Sequence, residues 1–150
     1  MHAVNVFSVD KPEGRLDVAG LLGSGDLVMF VYDLDPGRSS SPYHYEYAEE
    51  WLLVVDGELV LRAPDGEHTV RRGDLVRFPA GPDGAHKVMN RSDAPARTLM
   101  FSSSRVPAVS VYPDSDKIGV WSGHEPDELI FKRGTAVEWS EGEEGWHLAS

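Results

Sequence analysis

Residues 37–57, GRSSSPYHYEYAEEWLLVVDG, decide how the chain is interpreted, because polar residues recur there at even spacings in a segment that otherwise has strand composition. Alternate side chains of a β-strand lie on one face. His44, Glu46 and Glu50 therefore point to the same side if the alternation is unbroken. The spacing predicts that one imidazole and two carboxylates converge inside the protein.

Charge in a protein interior is costly unless it is paired, protonated or neutralised by a bound cation. The residues alone do not decide between pairing, protonation and a bound cation. A cation needs at least one further ligand, and a candidate lies in residues 73–90, GDLVRFPAGPDGAHKVMN, where His86 opens a second strand-like run.

Two motifs of the chain resemble the paired motifs of the cupin superfamily. The first consists of Gly37, six residues, His44-Tyr45-Glu46, three residues, Glu50, six residues and Gly57. The second consists of Gly73, five residues, Pro79-Ala80-Gly81, four residues, His86, three residues and Asn90. The chain departs from the family pattern at Glu46, where the family usually has a second histidine, and in a longer gap before His86.

The resemblance is to small single-domain cupins, and it implies an all-β fold: a cupin jelly-roll, or double-stranded β-helix, barrel with N- and C-terminal extensions. It also implies one bound divalent metal, with ligands His44, Glu46, Glu50 and His86. For Glu46 two other roles are open, a base beside the ligands or a surface carboxylate. No catalytic residue and no organic cofactor is predicted.

The predicted ligand set restricts the ion. Two imidazoles with one or two carboxylates and no sulfur suit Fe, Mn, Zn, Ni or Co as divalent ions, and they exclude a Cu(I) thiolate site. The same donors compose the two-histidine, one-carboxylate triad of non-haem iron oxygenases. Three or four protein ligands leave coordination positions open for water and substrate.

Composition limits the partners. The chain has 150 residues, 41% of them hydrophobic and 26% charged, as expected for a soluble domain. A net charge of −11 argues against nucleic acid and anionic membrane as partners. There is no cysteine and no apolar run of membrane-spanning length. We expect a cytoplasmic protein that binds a small-molecule ligand or substrate.

The chain consists mainly of short strand-like runs separated by glycine, proline and aspartate, which is typical of a sandwich or barrel. We predict a single domain over residues 1–150, with a barrel core at about 26–103 and a C-terminal extension at about 104–150 that packs on the barrel or on a partner subunit. Residues 3–9 are predicted as an edge strand. Asp56-Gly57 is predicted as a hairpin turn, and Pro64-Asp65-Gly66 as another turn.

The other face of the motif strand needs a cover, and the resemblance to cupins implies that a homodimer provides it. If Leu52 and Val54 point inward, Trp51, Leu53 and Val55 form an outward apolar strip that must be covered. The C-terminal extension also carries large apolar anchors, the tryptophans at 121, 139 and 146. A two-fold partner and the chain's own extension are the two candidates to cover the strip.

Two functions of different classes fit these features. The first is a metal-dependent enzyme of dioxygenase, isomerase or hydrolase type that acts on a small organic molecule inside the barrel. The second is a non-catalytic small-molecule or metal-binding module, such as a sensor. The fold does not choose between them, because function depends on the site.

Overall fold

The computed structural model describes residues 2–10, 14–103, 106–143 and 145. These residues form strands and one short helix: β1 (Arg15–Asp17), α1 (Val18–Leu21), β2 (Leu27–Leu34), β3 (Tyr45–Glu46), β4 (Glu50–Asp56), β5 (Glu58–Ala63), β6 (Gly66–Arg71), β7 (Leu75–Phe78), β8 (Lys87–Met89), β9 (Ala96–Ser103), β10 (Ala108–Tyr112), β11 (Lys117–Trp121) and β12 (Leu129–Lys132). Single 3₁₀ turns lie at Pro82–Gly84, Pro113–Ser115, Glu125–Asp127 and Arg133–Thr135. The all-β prediction is confirmed.

The strands form three sheets in which neighbouring strands run antiparallel. A five-stranded sheet has the order β1-β2-β9-β4-β7, a four-stranded sheet β12-β11-β10-β3, and a three-stranded sheet β6-β5-β8. Most neighbours are distant in sequence: β2 pairs with β9 over its whole length, and β4 lies between β9 and β7. This non-local pairing brings the segments of the two sequence motifs together.

The main core lies between the five-stranded and three-stranded sheets. Leu52 and Val54 of β4 are 0% and 1% exposed and point into it, as the alternation predicted. The other buried members of the cluster are Leu34, Leu59, Leu61, Val70, Phe78, Val88 and Ala96. Phe78 of this cluster stacks on the His86 ring, so the core adjoins the polar residues of the motifs.

The motif segment is interrupted rather than one continuous strand. β3 pairs with β10 in the four-stranded sheet, whereas β4 pairs with β7 and β9 in the five-stranded sheet. Residues 47–49 carry the chain from one sheet to the other. Glu46 and Glu50 both still line one cavity, so the predicted convergence holds although the strand is broken.

The predicted hairpin at Asp56-Gly57 is wrong. β4 and β5 do not pair with each other; β5 pairs with β6 and β8, so Gly57 turns the chain from one sheet into another. Gly57 has a φ of 82°, and a Cβ there would lie 2.9 Å from the Cβ of Ala96. A corner between sheets thus requires glycine for the same backbone reason as a hairpin. The Pro64-Asp65-Gly66 turn does join the paired strands β5 and β6.

The predicted strand at residues 3–9 is also wrong. Asn5 folds this segment into a turn, because its side-chain oxygen accepts from the Phe7 amide at 2.9 Å and its carbonyl accepts from the Val9 amide at 2.9 Å. Such local bonds compete with strand pairing. The added edge strand is instead β1, in a glycine-rich segment for which the sequence made no prediction.

The segment after residue 106 supplies most of the four-stranded sheet. β10 pairs with β3 on one side and with β11 on the other, and β12 forms the edge. Trp121 is half-buried and Trp139 is 74% exposed, while position 146 lies outside the described residues. Val55, expected to face outward, is only 3% exposed and lies where the pairing of β4 with β9 shifts register. No helix in the described ranges is long and apolar enough to cross a membrane.

Candidate metal centre

Two histidines from the two sequence motifs lie directly opposite each other. The His44 amide donates to the His86 carbonyl at 3.1 Å, and the His86 amide donates to the His44 carbonyl at 2.8 Å. This isolated antiparallel bridge sets the two imidazole rings 4.8 Å apart. The backbone therefore fixes the relative position of two predicted ligands.

Backbone carbonyls also fix which nitrogen of each ring faces inward. Nδ1 of His86 lies 2.9 Å from the Gly84 carbonyl oxygen, and Nδ1 of His44 lies 3.0 Å from the Pro42 carbonyl oxygen. A carbonyl only accepts hydrogen bonds, so these contacts assign the proton to Nδ1 of each ring, and the Ser41 hydroxyl oxygen, 3.3 Å from Nδ1 of His44, is a second neighbour of that atom. Each Nε2 then presents a lone pair, which is the arrangement of most metal-ligating histidines.

Glu50, the first residue of β4, brings a carboxylate to the two imidazoles. Its Oε2 lies 4.0 Å from Nε2 of His44 and 3.8 Å from Nε2 of His86. One ligand atom from each of the three residues lies within 4.8 Å of the others. Metal–nitrogen and metal–oxygen bonds are about 2.0 to 2.2 Å long. Small side-chain rotations would therefore let all three atoms contact one ion.

His86 has the burial expected of a ligand and lacks the partner that a structural histidine would have. Its side chain is 0% exposed, and Nε2 has no hydrogen-bond partner among the described residues. Its ring stacks on Phe78 with centroids 3.8 Å apart, which holds it in place. Burial lowers the pKa of His86 to about 4, so the neutral, ligating form is favoured. A buried unpartnered lone pair fits a metal ligand.

The ionised form of the Glu50 side chain is destabilised when no cation is bound beside it. Burial, together with the nearby Glu46 carboxylate, raises the pKa of Glu50 to about 8. A divalent ion between the carboxylate and the imidazoles would supply the missing positive charge and reverse this effect. The electrostatics of the group and its geometry thus favour the same occupant.

Glu46 lies on the same cavity wall but outside the group of three. Its Oε1 accepts from the Ser110 hydroxyl at 2.6 Å, and Ser110 Oγ in turn accepts from the Trp121 indole at 2.9 Å. Ser110 is 1% exposed and stands opposite Glu46 in the pairing of β10 with β3. These two hydrogen bonds could not be predicted from the sequence, because their donors, Ser110 and Trp121, lie in the segment assigned to the extension.

A cavity of about 500 Å³ opens in front of these residues. Its wall includes His44, Glu46 and Glu50, the hydroxyl groups of several serines, and a larger apolar surface. The apolar and serine residues of the wall are Val28, Phe30, Tyr32, Ser40, Ser41, Ala48, Met100, Phe101, Ser102, Ser103, Val106, Ala108 and Trp121. The volume is within the usual range of small-molecule sites.

Arg15 is a further residue of this wall that sequence reasoning missed. Its guanidinium carbon lies 4.6 Å from the centre of the Phe30 ring. It belongs to β1, which pairs with β2 and places Arg15 opposite Tyr32. The glycine-rich composition of residues 11–26 hid this strand. The Arg15 guanidinium therefore lines the same cavity as the Glu46 and Glu50 carboxylates.

The other histidines lie outside this site, as far as the structure describes them. His68 lies beside a turn with its Nε2 2.8 Å from Oδ1 of Asp65, and both side chains are exposed. His124 precedes a 3₁₀ turn and is exposed. Position 147 lies outside the described residues. Tyr43 stacks under Arg62, and Tyr45 packs edge-on against Tyr47.

Comparison with known proteins agrees with this architecture. Residues 30–102 match the family model described as "Cupin domain". The structure is similar to that of a protein from Silicibacter pomeroyi described as a sugar phosphate isomerase from a cupin superfamily, with 30% identity and a TM-score of 0.75 over 83% of this chain and 80% of that one. The chain belongs to the cupin superfamily. The predicted jelly-roll fold is thereby confirmed.

Two further relatives place this cupin among diverse proteins. A putative sugar phosphate isomerase from Acidithiobacillus ferrooxidans has 19% identity and a TM-score of 0.74 over 82% of this chain and 78% of that one, which shows the fold alone. The tetracenomycin polyketide synthase protein TcmJ of Streptomyces glaucescens is 27% identical over 75 residues, or 50% of this chain and 49% of that protein. The match to TcmJ thus spans about half the length of each protein.

Proposed function

We propose that this cupin is a metal-dependent enzyme acting on a small organic molecule bound in the 500 Å³ cavity. The observation that carries the proposal is the convergence of His44, Glu50 and His86, with Nε2 of both histidines 3.8 to 4.0 Å from one carboxylate oxygen of Glu50. Three protein ligands leave positions open for a substrate, as a catalytic metal site requires. The open positions would face the cavity.

The ion we propose is one divalent Fe, Mn, Zn, Ni or Co. Two imidazoles and one carboxylate suit each of them. When bound, the ion would act as a Lewis acid that polarises a carbonyl or hydroxyl oxygen of the substrate. The protein residues would position that substrate and keep bulk water away from it.

Glu46 stays a predicted ligand, and its surroundings support a second role as well. The bond from Ser110, itself held by Trp121, fixes the carboxylate on the cavity wall. In that position it would accept a hydrogen bond from a substrate hydroxyl next to the ion. Glu46 belongs to the site in both roles. Only as a ligand would it contribute to the affinity of the protein for the ion.

The reaction we favour is an isomerisation of a hydroxylated, anionic substrate such as a sugar phosphate. Arg15 would bind the anionic group, and Ser41 and Ser102 are among the wall hydroxyls that would bind sugar hydroxyls. The relative with 30% identity is described as a sugar phosphate isomerase. An aldose–ketose interconversion moves hydrogen within one molecule, so it needs no oxidant, reductant or co-substrate.

A second candidate substrate is a polycyclic aromatic molecule of the polyketide type. The apolar part of the cavity wall includes Phe30, Phe101 and Trp121, which would stack on aromatic rings. The relative TcmJ is described as a polyketide synthase protein. This alternative predicts binding that depends on ring contacts rather than on Arg15.

The test combines ligand screening with an activity measurement. The metal-loaded protein is screened by thermal shift against sugar phosphates and against aromatic polyketides, and hits are followed by NMR for interconversion of isomers. We expect a sugar phosphate to be converted by the metal-loaded wild type, and conversion to stop with chelator or with His86→Gln. His68→Gln is the matched control and should stay active.

Other outcomes separate the alternatives. Stabilisation by a sugar phosphate without turnover would favour the alternative function, a non-catalytic binding module. Stabilisation by aromatic compounds alone would favour the second candidate. Absence of any ligand effect on a fully metal-loaded protein would contradict the enzyme proposal.

The remaining expectations about partners and location stay predictions. They are a homodimer, a cytoplasmic location and no nucleic-acid partner. The net charge of −11 supports the last of these, since binding to phosphate backbones rewards positive surfaces.

A further inference from the structure

Strand β12 presents apolar side chains on both of its faces. Leu129, Ile130 and Phe131 are 57%, 53% and 39% exposed. β12 pairs with β11 on one side and is the edge of the four-stranded sheet, so its other side has no strand partner within the described ranges. An apolar edge strand is a template for pairing with another chain.

The charges around β12 are complementary to those of a second copy that runs antiparallel to it. Acidic residues, Asp127 and Glu128, precede the three apolar residues, and basic residues, Lys132 and Arg133, follow them. If two copies pair antiparallel about Ile130, Glu128 lies opposite the partner's Lys132. Leu129 then lies opposite the partner's Phe131, and Ile130 lies opposite its own copy.

This charge pattern selects one arrangement. Side chains directly opposite each other in an antiparallel pair have Cβ atoms about 4.5 to 5.5 Å apart, close enough for an ion pair. A parallel pairing in register would instead place Glu128 beside its own copy and Lys132 beside its own copy, which is unfavourable. A shift of the antiparallel register by two residues would separate Glu128 from the opposing lysine.

The local backbone allows the pairing to reach both charged positions. Glu128 has φ −88° and ψ 112°, and Lys132 has φ −74° and ψ 137°, so both are extended. The Lys132 ammonium donates to the Ser115 carbonyl at 2.6 Å, which holds it at this end of the strand. An ammonium carries three hydrogens, so two remain for a carboxylate.

We propose that β12 is a self-association surface that pairs antiparallel with β12 of a second copy, across a two-fold axis at Ile130. The contact is isologous, so each charged pair occurs twice. Two four-stranded sheets become one continuous sheet, with β3 and Glu46 at its far edges. This surface differs from the strip at Trp51, Leu53 and Val55, of which Val55 is already buried within the chain.

The test is a charge exchange in the full chain, followed by sedimentation velocity over a micromolar concentration series. Glu128→Lys alone and Lys132→Glu alone place like charges opposite each other, and each should raise the dimer Kd by about 10-fold or more. The double variant Glu128→Lys with Lys132→Glu restores opposite charges and should return the Kd to within about 3-fold of the wild type.

Glu138→Lys is the control for Glu128→Lys, because it makes the same change of net charge at an exposed position outside β12. It should leave the dimer Kd unchanged. Melting temperature and bound metal are measured for every variant, so a folding defect is recognised separately from dissociation. High salt should weaken the wild-type dimer, since the pairs are exposed.

Three results would overturn the proposal. The wild type could be monomeric throughout the concentration series. The single variants could form dimers as well as the wild type, which would place the interface elsewhere. The double variant could stay as dissociated as the single variants although it is folded, which would remove the pairing of residues 128 and 132.

Discussion

Two backbone carbonyls decide which nitrogen of each imidazole faces the metal position. The Pro42 and Gly84 carbonyls hold Nδ1 of His44 and His86, so Nε2 of each ring is left for a ligand. Strand parity grouped His44 with Glu50 correctly, although the strand is broken at residues 47–49 and the two residues lie on different elements. The tautomers could not be predicted, because they depend on carbonyls whose direction is set by turns.

At the residue scale, the first prediction concerns the stability of the ion-free protein. Glu50 has a pKa of about 8 in the fold and about 4.3 when unfolded, so the folded state retains a proton that the unfolded state loses. This difference lowers stability as pH rises from about 4.3 to 8. His86, with a pKa of about 4 in the fold against about 6.5 unfolded, acts in the opposite direction below about 6.5.

The two effects oppose each other up to about pH 6.5, and only that of Glu50 remains above it. We therefore expect the unfolding free energy of ion-free protein to fall between about pH 6.5 and 8, and saturating metal to abolish the fall. Urea unfolding with and without chelator measures both. A flat profile for the ion-free protein across this range would show that Glu50 ionises freely.

The second residue-scale prediction separates the two glutamates. Glu50→Ala removes a ligand, and because loss of a mere supporting partner costs about 10- to 100-fold in metal affinity, we expect a loss above about 100-fold. Glu46→His places the residue usual in the family at that position and should keep the ion. Glu46→Gln, which can still accept from Ser110, is the control for loss of charge alone.

Metal affinity of the three variants is measured by competition with a chelator. The site should prefer anionic ligands more strongly in Glu46→His, because a negative charge has been removed. If Glu46→His abolishes binding while Glu50→Ala retains it, the assignment of Glu50 as a ligand is wrong.

At the element scale, the sequence predicted which residues share a face better than it predicted which strands pair. Alternation placed Leu52 and Val54 in the core, and both are buried. Asp56-Gly57 has the composition of a hairpin, but the strands on its two sides pair with other strands: β4 with β7 and β9, and β5 with β6 and β8. Local turn residues specify a backbone conformation, whereas the partner strand depends on distant residues such as Ala96.

The turn at Pro82–Gly84 gives the element-scale prediction. A Cβ on Gly84 would overlap the Pro79 carbonyl oxygen, so Gly84→Ala must displace the turn. The Gly84 carbonyl orients His86, and we expect metal affinity to fall by about 10- to 100-fold. Gly25→Ala, where a Cβ would have no atom within 4 Å, should bind metal normally. Unchanged affinity in Gly84→Ala would mean that the turn does not position His86.

At the scale of the whole molecule, segments that the sequence treated as extensions complete the structure. β1 brings Arg15 to the cavity, and β10 and β11 bring Ser110 and Trp121 to Glu46. The motifs predicted the barrel and the ligands because they lie within it. The cavity wall outside the motifs was not predictable, because no spacing in the sequence links residue 46 to residues 110 and 121. The division into barrel core and extension stays a prediction.

The N-terminal segment is attached to the barrel through Arg97. Its guanidinium donates to both carboxylate oxygens of Asp33, at 2.7 and 3.0 Å, and to the carbonyls of Val6 and Phe7, at 3.1 and 2.7 Å. Arg97→Lys cannot make all four bonds, because an ammonium has three donors on one atom. We expect a loss of about 1 to 3 kcal/mol and faster amide exchange in residues 2–10.

Metal affinity should be unchanged in Arg97→Lys, since Arg97 is not in the metal group. Arg91→Lys is the matched control, because Arg91 makes a similar two-fold contact with the exposed Glu67 but holds no terminal segment. Equal exchange rates in residues 2–10 of both variants would contradict the attachment through Arg97.

Elemental analysis of untagged protein measures whether His44, Glu50 and His86 hold one divalent ion. Wild type and His68→Gln, loaded with each of the five ions and then freed of excess, should retain about one ion per chain with at least one of them. His86→Gln, folded as judged by circular dichroism, should retain little. Wild type that retains none of the five ions, or His86→Gln that retains as much as wild type, would contradict the account.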